Sequence, residues 1–200
     1  MASTTVRLDP LSKITHRPKE AIRNIQKGKD APWHDEEEFG DATQRRYTGF
    51  HALALVLAEM IGAQGCSVSL TGEFMRAHKS AINKFLDEIE GDLPPKPRFV
   101  LALQTAIEDE WVGITWQPMI LCGYGSVEEV ESAIAAEIAK VGRVIETRDG
   151  RVKDRVVGGP WIALASIPEA YRLLRQRAKA EGYMIEGRQI FKIADDIEGE

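Results

Sequence analysis

Residues 91–98, Gly91-Asp92-Leu93-Pro94-Pro95-Lys96-Pro97-Arg98, place three prolines within four positions, just after a glycine. Proline has no amide hydrogen and its ring clashes with the preceding turn, so no helix runs through this segment. Any helix before it stops at Gly91. The apolar periodicity also changes here, from helical spacing before to mixed spacing after. The sequence therefore divides into residues 6–90, a Pro-rich linker 91–98, and residues 99–200.

Before the prolines, spacings of three and four dominate. Leu8, Leu11 and Ile14 mark a first short helix from Asp9 to Thr15, with Asp9 as cap and Pro10 in the first turn. His16-Arg17 is the turn. Pro18 opens a second helix whose one face carries Ala21, Ile22 and Ile25 and whose other carries Arg17, Lys19, Arg23 and Lys27; Gly28 ends it. Two short helices around a tight turn, the second basic on its free face, have the shape of a helix-turn-helix. Residues 29–46 are polar and irregular. Their ends suit a hairpin, Pro32-Trp33 against Gln44-Arg45-Arg46-Tyr47, with the acidic run Asp35-Glu36-Glu37-Glu38 at a solvated tip. Phe50, Leu53, Leu57 and Ile61 mark a buried helix closed by Gly62 or Gly65. Leu70, Phe74, Ala77, Ala81, Phe85 and Ile89 mark one long helix over 69–90.

After the prolines, 99–103 is apolar and fits a helix or a strand, while Trp111 to Tyr124 reads as strand broken by Pro118. A helix follows at Val127, Val130, Ile134 and Ile138. Asp149-Gly150 is a hairpin turn between 141–147 and 151–157. Pro168 opens a helix with Tyr171, Leu174 and Ala178, and 183–185 with 189–193 form a last hairpin. The fold class expected is α+β.

Charge is distributed unevenly. Residues 1–29 hold seven basic and two acidic side chains, so they carry +5 of a total of −5, and residues 30–200 carry −10. A basic end on an acidic chain is either a polyanion-binding surface or a solvated helix face. With 44% hydrophobic and 28% charged residues, the chain is globular in composition. It has no run of about 20 apolar residues for a membrane helix and no signal-like apolar core at its start. Cys66 and Cys122 form no paired motif, which suits reduced thiols and a cytoplasmic setting.

Catalytic signals are weak. His16, His34, His51 and His78 lack metal-ligand spacing, and no nucleophile elbow, Walker A sequence or dinucleotide fingerprint is present. Gly123-Tyr124-Gly125-Ser126 reads as an anion-binding turn or, more often, a plain strand-to-helix connection. No enzyme, metal or cofactor is expected.

The first 90 residues resemble the MerR-type winged helix-turn-helix. Leu8, Leu11, Thr15, Ile22 and Arg23 match its opening pattern without a gap. Arg46-Tyr47-Thr48 matches the wing exit. Leu53 to Ile61, then Gln64-Gly65-Cys66-Ser67-Val68, matches the third helix and the lead into the fourth. The resemblance covers just under half the chain. It departs at the turn glycine, here His16, at the following apolar residue, here Arg17, and at the dimerisation helix, which the prolines forbid.

The resemblance implies a sequence-specific DNA-binding regulator, in a bacterial prophage or regulatory setting. Its recognition helix at 18–27 would lie in the major groove and its wing at 29–47 on the backbone. Residues 99–200 would dimerise or receive a signal. Groove contact transfers to Arg17, Lys19 and Arg23, joined by Lys27, and backbone contact to Arg45, Arg46 and Tyr47. Tyr47 is equally suited to the core beneath the wing. Arg17 and Arg23 fall about 120° out of alignment on a helix, so Lys19 and Arg23, four apart, share the face toward DNA. The partners expected are double-stranded DNA and a second copy of the chain, with no membrane. The alternative is an assembly factor that uses a winged-helix fold to hold another protein.

Overall fold

The structure is a computed structural model and describes residues 5–39, 44–93, 96–109, 113–119, 126–142, 144–146, 153–158 and 161–193. It is α+β, helices first and strands later. No helix among the described residues is long and apolar enough to cross a membrane.

α1 (Leu8–Thr15) buries Leu11 and Ile14 of the expected stripe and adds Thr15, while Leu8 is half-buried; its N-cap is Arg7, and Asp9, expected as the cap, lies in the first turn. The helix ends at His16, which takes the left-handed conformation with φ 54. This is the position where the resemblance calls for glycine; a single non-glycine residue adopts it at a cost of about 1 kcal/mol. α2 (Lys19–Lys27) starts after Pro18 and buries Ile22, Ile25 and Gln26. α3 (Asp35–Phe39) is one short turn of helix. α4 (Gly49–Gly62) is the hub: Phe50 to Ala58 without a break, and Ile61, are buried. A helix apolar on every side has to be surrounded.

The single helix expected over 69–90 is two helices, α5 (Val68–Ala77) and α6 (Lys79–Glu90). The chain turns at His78, with φ −93 and ψ 10. His78 is fully buried and its Nδ1 lies 2.8 Å from the Phe74 carbonyl. The bend lets Phe74 and Met75 on one side, and Ala81, Ile82, Phe85 and Leu86 on the other, reach the core from two directions.

The sheet is built on β1 (Phe99–Asp109), so the ambiguous 99–103 stretch is strand. β2 (Gly113–Met119) pairs with it antiparallel, Leu103 opposite Met119 and Asp109 opposite Gly113. Pro118 sits within this edge strand, where a missing amide hydrogen is tolerated. α7 (Val127–Ile138) follows, its start closed by a Ser126–Glu129 capping box. β3 (Val144–Glu146) and β4 (Lys153–Val156) pair antiparallel, while their Asp149-Gly150 turn lies outside the described residues. So do Cys122, Gly123-Tyr124-Gly125, and the Trp111 and Tyr124 ends of the strand expected around β2. β5 (Trp161–Ser166) pairs with the first half of β1. Its backbone at Leu164 exchanges two hydrogen bonds with the Gln64 side chain, 2.9 and 3.1 Å, which protects that edge.

Strand alternation gives the sheet two faces. Val100, Ala102, Ala163 and Ala165 belong to the main core with α4. Leu101 and Leu103 turn the other way, onto Val130 and Ala133 of α7. α8 (Ile167–Ala180) and the hairpin of β6 (Tyr183–Glu186) and β7 (Gln189–Lys192) then return to the helices. Ala170, Tyr171, Leu174, Ala178, Ile185 and Ile190 share one buried cluster with Leu11, Ile14 and α4. The segment 91–98 therefore does not separate two cores. Polar stitches reinforce this: Arg177 donates to Glu59 (2.7 and 3.1 Å) and to the Thr15 carbonyl (3.2 Å). Gly49 N donates to the Arg188 carbonyl at 2.7 Å.

Candidate nucleic-acid interface

α2 is amphipathic by construction. Ile22 and Ile25 face the core, and Gln26 meets the buried Tyr47 hydroxyl at 3.3 Å. The opposite side is open: Glu20, Arg23, Asn24 and Lys27 are exposed and Lys19 is half-buried. Lys19, Arg23 and Lys27 recur every four residues, which aligns them in one stripe along the helix. Two of the three cations are shared with acids. Lys19 pairs with Asp9 of α1, an attraction that holds the Asp9 carboxyl below its usual range. Arg23 lies 3.6 Å from Glu20, a pair exposed to solvent and of little energetic weight.

Arg17 does not join the stripe. It is half-buried in the turn, where Ser12 Oγ donates to its carbonyl at 2.6 Å. Burial lowers its pKa, opposed by the nearby Glu59 carboxylate. The half-buried Arg17 side chain lines a small pocket with Ala58 and Gly62 of α4, which sets it apart from the open stripe on α2.

The expected wing takes another form. Tyr47 bridges Val6 in antiparallel fashion, with N–O distances of 2.8 Å both ways, and not Pro32 or Trp33. Trp33 is 1% exposed, packed edge-on against His51, Tyr47 and Phe39. Tyr47 is 2% exposed and belongs to this cluster, so it is core and not a phosphate ligand. The acidic run is no solvated tip either: it forms α3, and Glu37 and Glu38 bind Lys79 at 3.1 and 2.8 Å. Of the two arginines ahead of Tyr47, Arg45 lies over the Phe39 ring at 5.4 Å, while Arg46 is exposed.

The Val6–Tyr47 bridge supplies a residue that the sequence reading did not single out. One register step on, the antiparallel pair runs Arg7 past Arg46, and both are exposed. Arg7 is also the N-cap of α1, whose first turn holds Asp9 against Lys19. A lone arginine before a helix carries no signal of its own; only the long-range pairing gives it a neighbour.

The far end of α2 is anchored by α5. Arg76 Nη1 donates to the carbonyls of Lys29 (3.2 Å) and Ala31 (2.7 Å). Gly72 packs so closely that a Cβ there would overlap the Asp30 carbonyl oxygen. Gly72→Ala is expected to lower stability by about 1–3 kcal/mol, as overpacking against backbone does. Urea unfolding checks this, and a midpoint equal to the parent's would show that the 28–31 turn yields freely.

Among the described residues no group of three or more His, Cys, Asp or Glu side chains is placed to hold a metal ion. Cys66 is a buried free thiol whose pKa burial raises. No family model matches the chain, and no curated protein matches it.

Proposed function

We propose that this chain is a sequence-specific DNA-binding regulator that lays α2 in the major groove. One observation carries the reading: Lys19, Arg23 and Lys27 stand in line on the open side of a nine-residue helix whose other side is fixed by buried Ile22 and Ile25. The MerR-type resemblance of the α1–turn–α2 order supports it. The reading does not need a hairpin wing. Arg46 and Arg7 take the role of backbone contacts beside the helix, and Arg17 and Tyr47 drop out of the contact set. A single short helix covers only a few base pairs, so the working unit is a homodimer on two half-sites about 34 Å apart. The setting is the cytoplasm.

Lysine and arginine contacts to phosphate release counterions, so affinity falls with salt in proportion to the number of contacts. Substituting Lys19, Arg23 and Lys27 together by alanine is expected to reduce the slope of log K against log salt by about 0.9 for each contact removed. Arg23→Ala alone is expected to weaken a site selected from a random DNA pool by about 1–3 kcal/mol. Fluorescence anisotropy across a salt series reads both. Equal binding by variant and parent at every salt concentration contradicts the proposal.

A second reading, an assembly factor that docks protein, draws on the acids set against the stripe. Asp9 on Lys19 and Glu20 on Arg23 partly neutralise it. Absence of any DNA binding at low salt favours this reading; a steep salt dependence favours the first.

A further inference from the structure

A cleft of about 620 Å³ opens between α8, the end of α6 and the β6 strand. Its floor is apolar, made by Phe85, Ile89, Tyr171 and Ile185, with Met184 and Ile193 at its edge. The Tyr171 hydroxyl in the floor is already used: its Oη accepts from Gly187 N at 2.9 Å and donates to the Ile185 carbonyl at 3.3 Å. The rim is different. Arg172, Arg175 and Lys179 of α8 line it at i, i+3 and i+7, all exposed, and among the described residues every charged side chain that lines the cleft is a cation. Arg172 is shared with Glu169 at 2.8 Å, but among the described residues Arg175 and Lys179 have no ion-pair partner. The carboxylate at the end of α6, Glu90, is held by Arg188 at 2.7 Å. In a chain of net charge −5, a purely cationic rim over an apolar floor is a local inversion.

We propose that this cleft binds a small amphipathic acid, an apolar chain or fused ring carrying one carboxylate or sulfonate. The volume falls in the range of small-molecule sites, about 300–1,000 Å³. The floor offers contact without a hydrogen-bond donor, so the body of the ligand is apolar and fixed by burial. The rim offers guanidinium and ammonium groups, which recognise an anionic head by charge-assisted hydrogen bonds. The head lies at the rim near Arg175 and Lys179, and the body lies over Tyr171 and Ile185.

The test uses the full chain and two fluorescent probes of nearly the same apolar body, anionic 8-anilinonaphthalene-1-sulfonate and neutral N-phenyl-1-naphthylamine. The sulfonate is expected to bind at one saturable site and to be displaced by dodecanoate far more readily than by dodecanol. The double variant Arg175→Glu/Lys179→Glu is expected to weaken the sulfonate by about tenfold or more and the neutral probe by less than about twofold. Gln176→Trp, an exposed position that lines the cleft, is expected to weaken both probes. All of these positions are exposed, so thermal melts should match the parent. Equal loss of both probes in the charge-reversal variant, or no loss in any variant, overturns the proposal. So does binding that appears only after removal of residues 194–200, whose sequence Ala-Asp-Asp-Ile-Glu-Gly-Glu would then be the cleft's own occupant. No DNA enters the measurement, so its failure leaves the DNA-binding reading where it stood.

Discussion

Trp33→Ala is expected to cost about 3–5 kcal/mol of stability, the range for removing a large aromatic from a packed interior. Trp33 is 1% exposed. Its ring centroid lies 4.9 Å from His51, 6.3 Å from Tyr47 and 6.4 Å from Phe39, each in an edge arrangement. Those partners come from three places: α3, the Val6–Tyr47 bridge and the first turn of α4. Removing the indole leaves a void that these three cannot close together, because each is fixed elsewhere. Glu37 and Glu38 are held by Lys79, Tyr47 by Val6 and Gln26, and His51 by Thr48. Trp33→Phe retains part of the contact and is expected to restore more than half of the loss. Denaturant unfolding followed by far-ultraviolet circular dichroism measures both. A cost below about 1 kcal/mol for the alanine variant would mean that residues 30–39 are not part of the cooperative unit.

The contrast between Trp33 and Arg17 shows what the sequence makes legible. Local periodicity is strong where one face is buried. Leu11 and Ile14, Ile22 and Ile25, and the run through α4 all place their helices, and the Lys19–Arg23–Lys27 stripe follows from the same arithmetic. The two late hairpins expected, β3–β4 and β6–β7, are present as antiparallel pairs. What local pattern does not carry is long-range choice. The stripe from Leu70 to Ile89 keeps helical spacing through His78, and only burial of that imidazole against Phe74 breaks it. The 29–47 segment has ends that suit each other, yet Tyr47 pairs with Val6, some forty residues back. Gly91 and the prolines do end α6, but ending an element is not the same as ending a core. The face of Tyr171, Leu174 and Ala178 is visible in the sequence, while its destination, α4 and α1, is not. Arg17 fits a recognition helix by position, yet it sits half-buried against Ala58 and Gly62 of α4, a neighbourhood that no local pattern announces.

Acidification from pH 7 is expected to destabilise the fold before any carboxylate titrates appreciably, through His51. This imidazole is 3% exposed and burial pushes its pKa down from 6.5 to about 4, with Glu38 at 3.6 Å opposing the shift and Lys79 adding to it. Thr48 N donates to its Nδ1 at 3.1 Å, so the neutral ring carries its proton on Nε2. The folded state binds the extra proton only near pH 4, whereas the unfolded chain binds it below about pH 6.5. The unfolded state therefore gains protons first, and stability falls as pH drops through this window, by about 2 kcal/mol at pH 5 and about 3 kcal/mol at its lower end. Above pH 6.5 the contribution is constant. His78, buried and shifted in the same direction, adds to the loss. The carboxylates of Asp9, Glu37, Glu59 and Glu88 are held below their usual values by cationic partners, so the stability they give is lost as pH falls from those usual values, about 4, toward the lowered ones, which overlaps only the lower end of the His51 window. Unfolding midpoints at closely spaced pH values separate the two regimes. His51→Asn removes one titrating group and is expected to flatten the slope between pH 6.5 and 5, whatever it does to stability at pH 7. An unchanged slope in that variant would show that His51 is not buried in its neutral form, and with it that the Trp33–Phe39–Tyr47 cluster does not close over the start of α4.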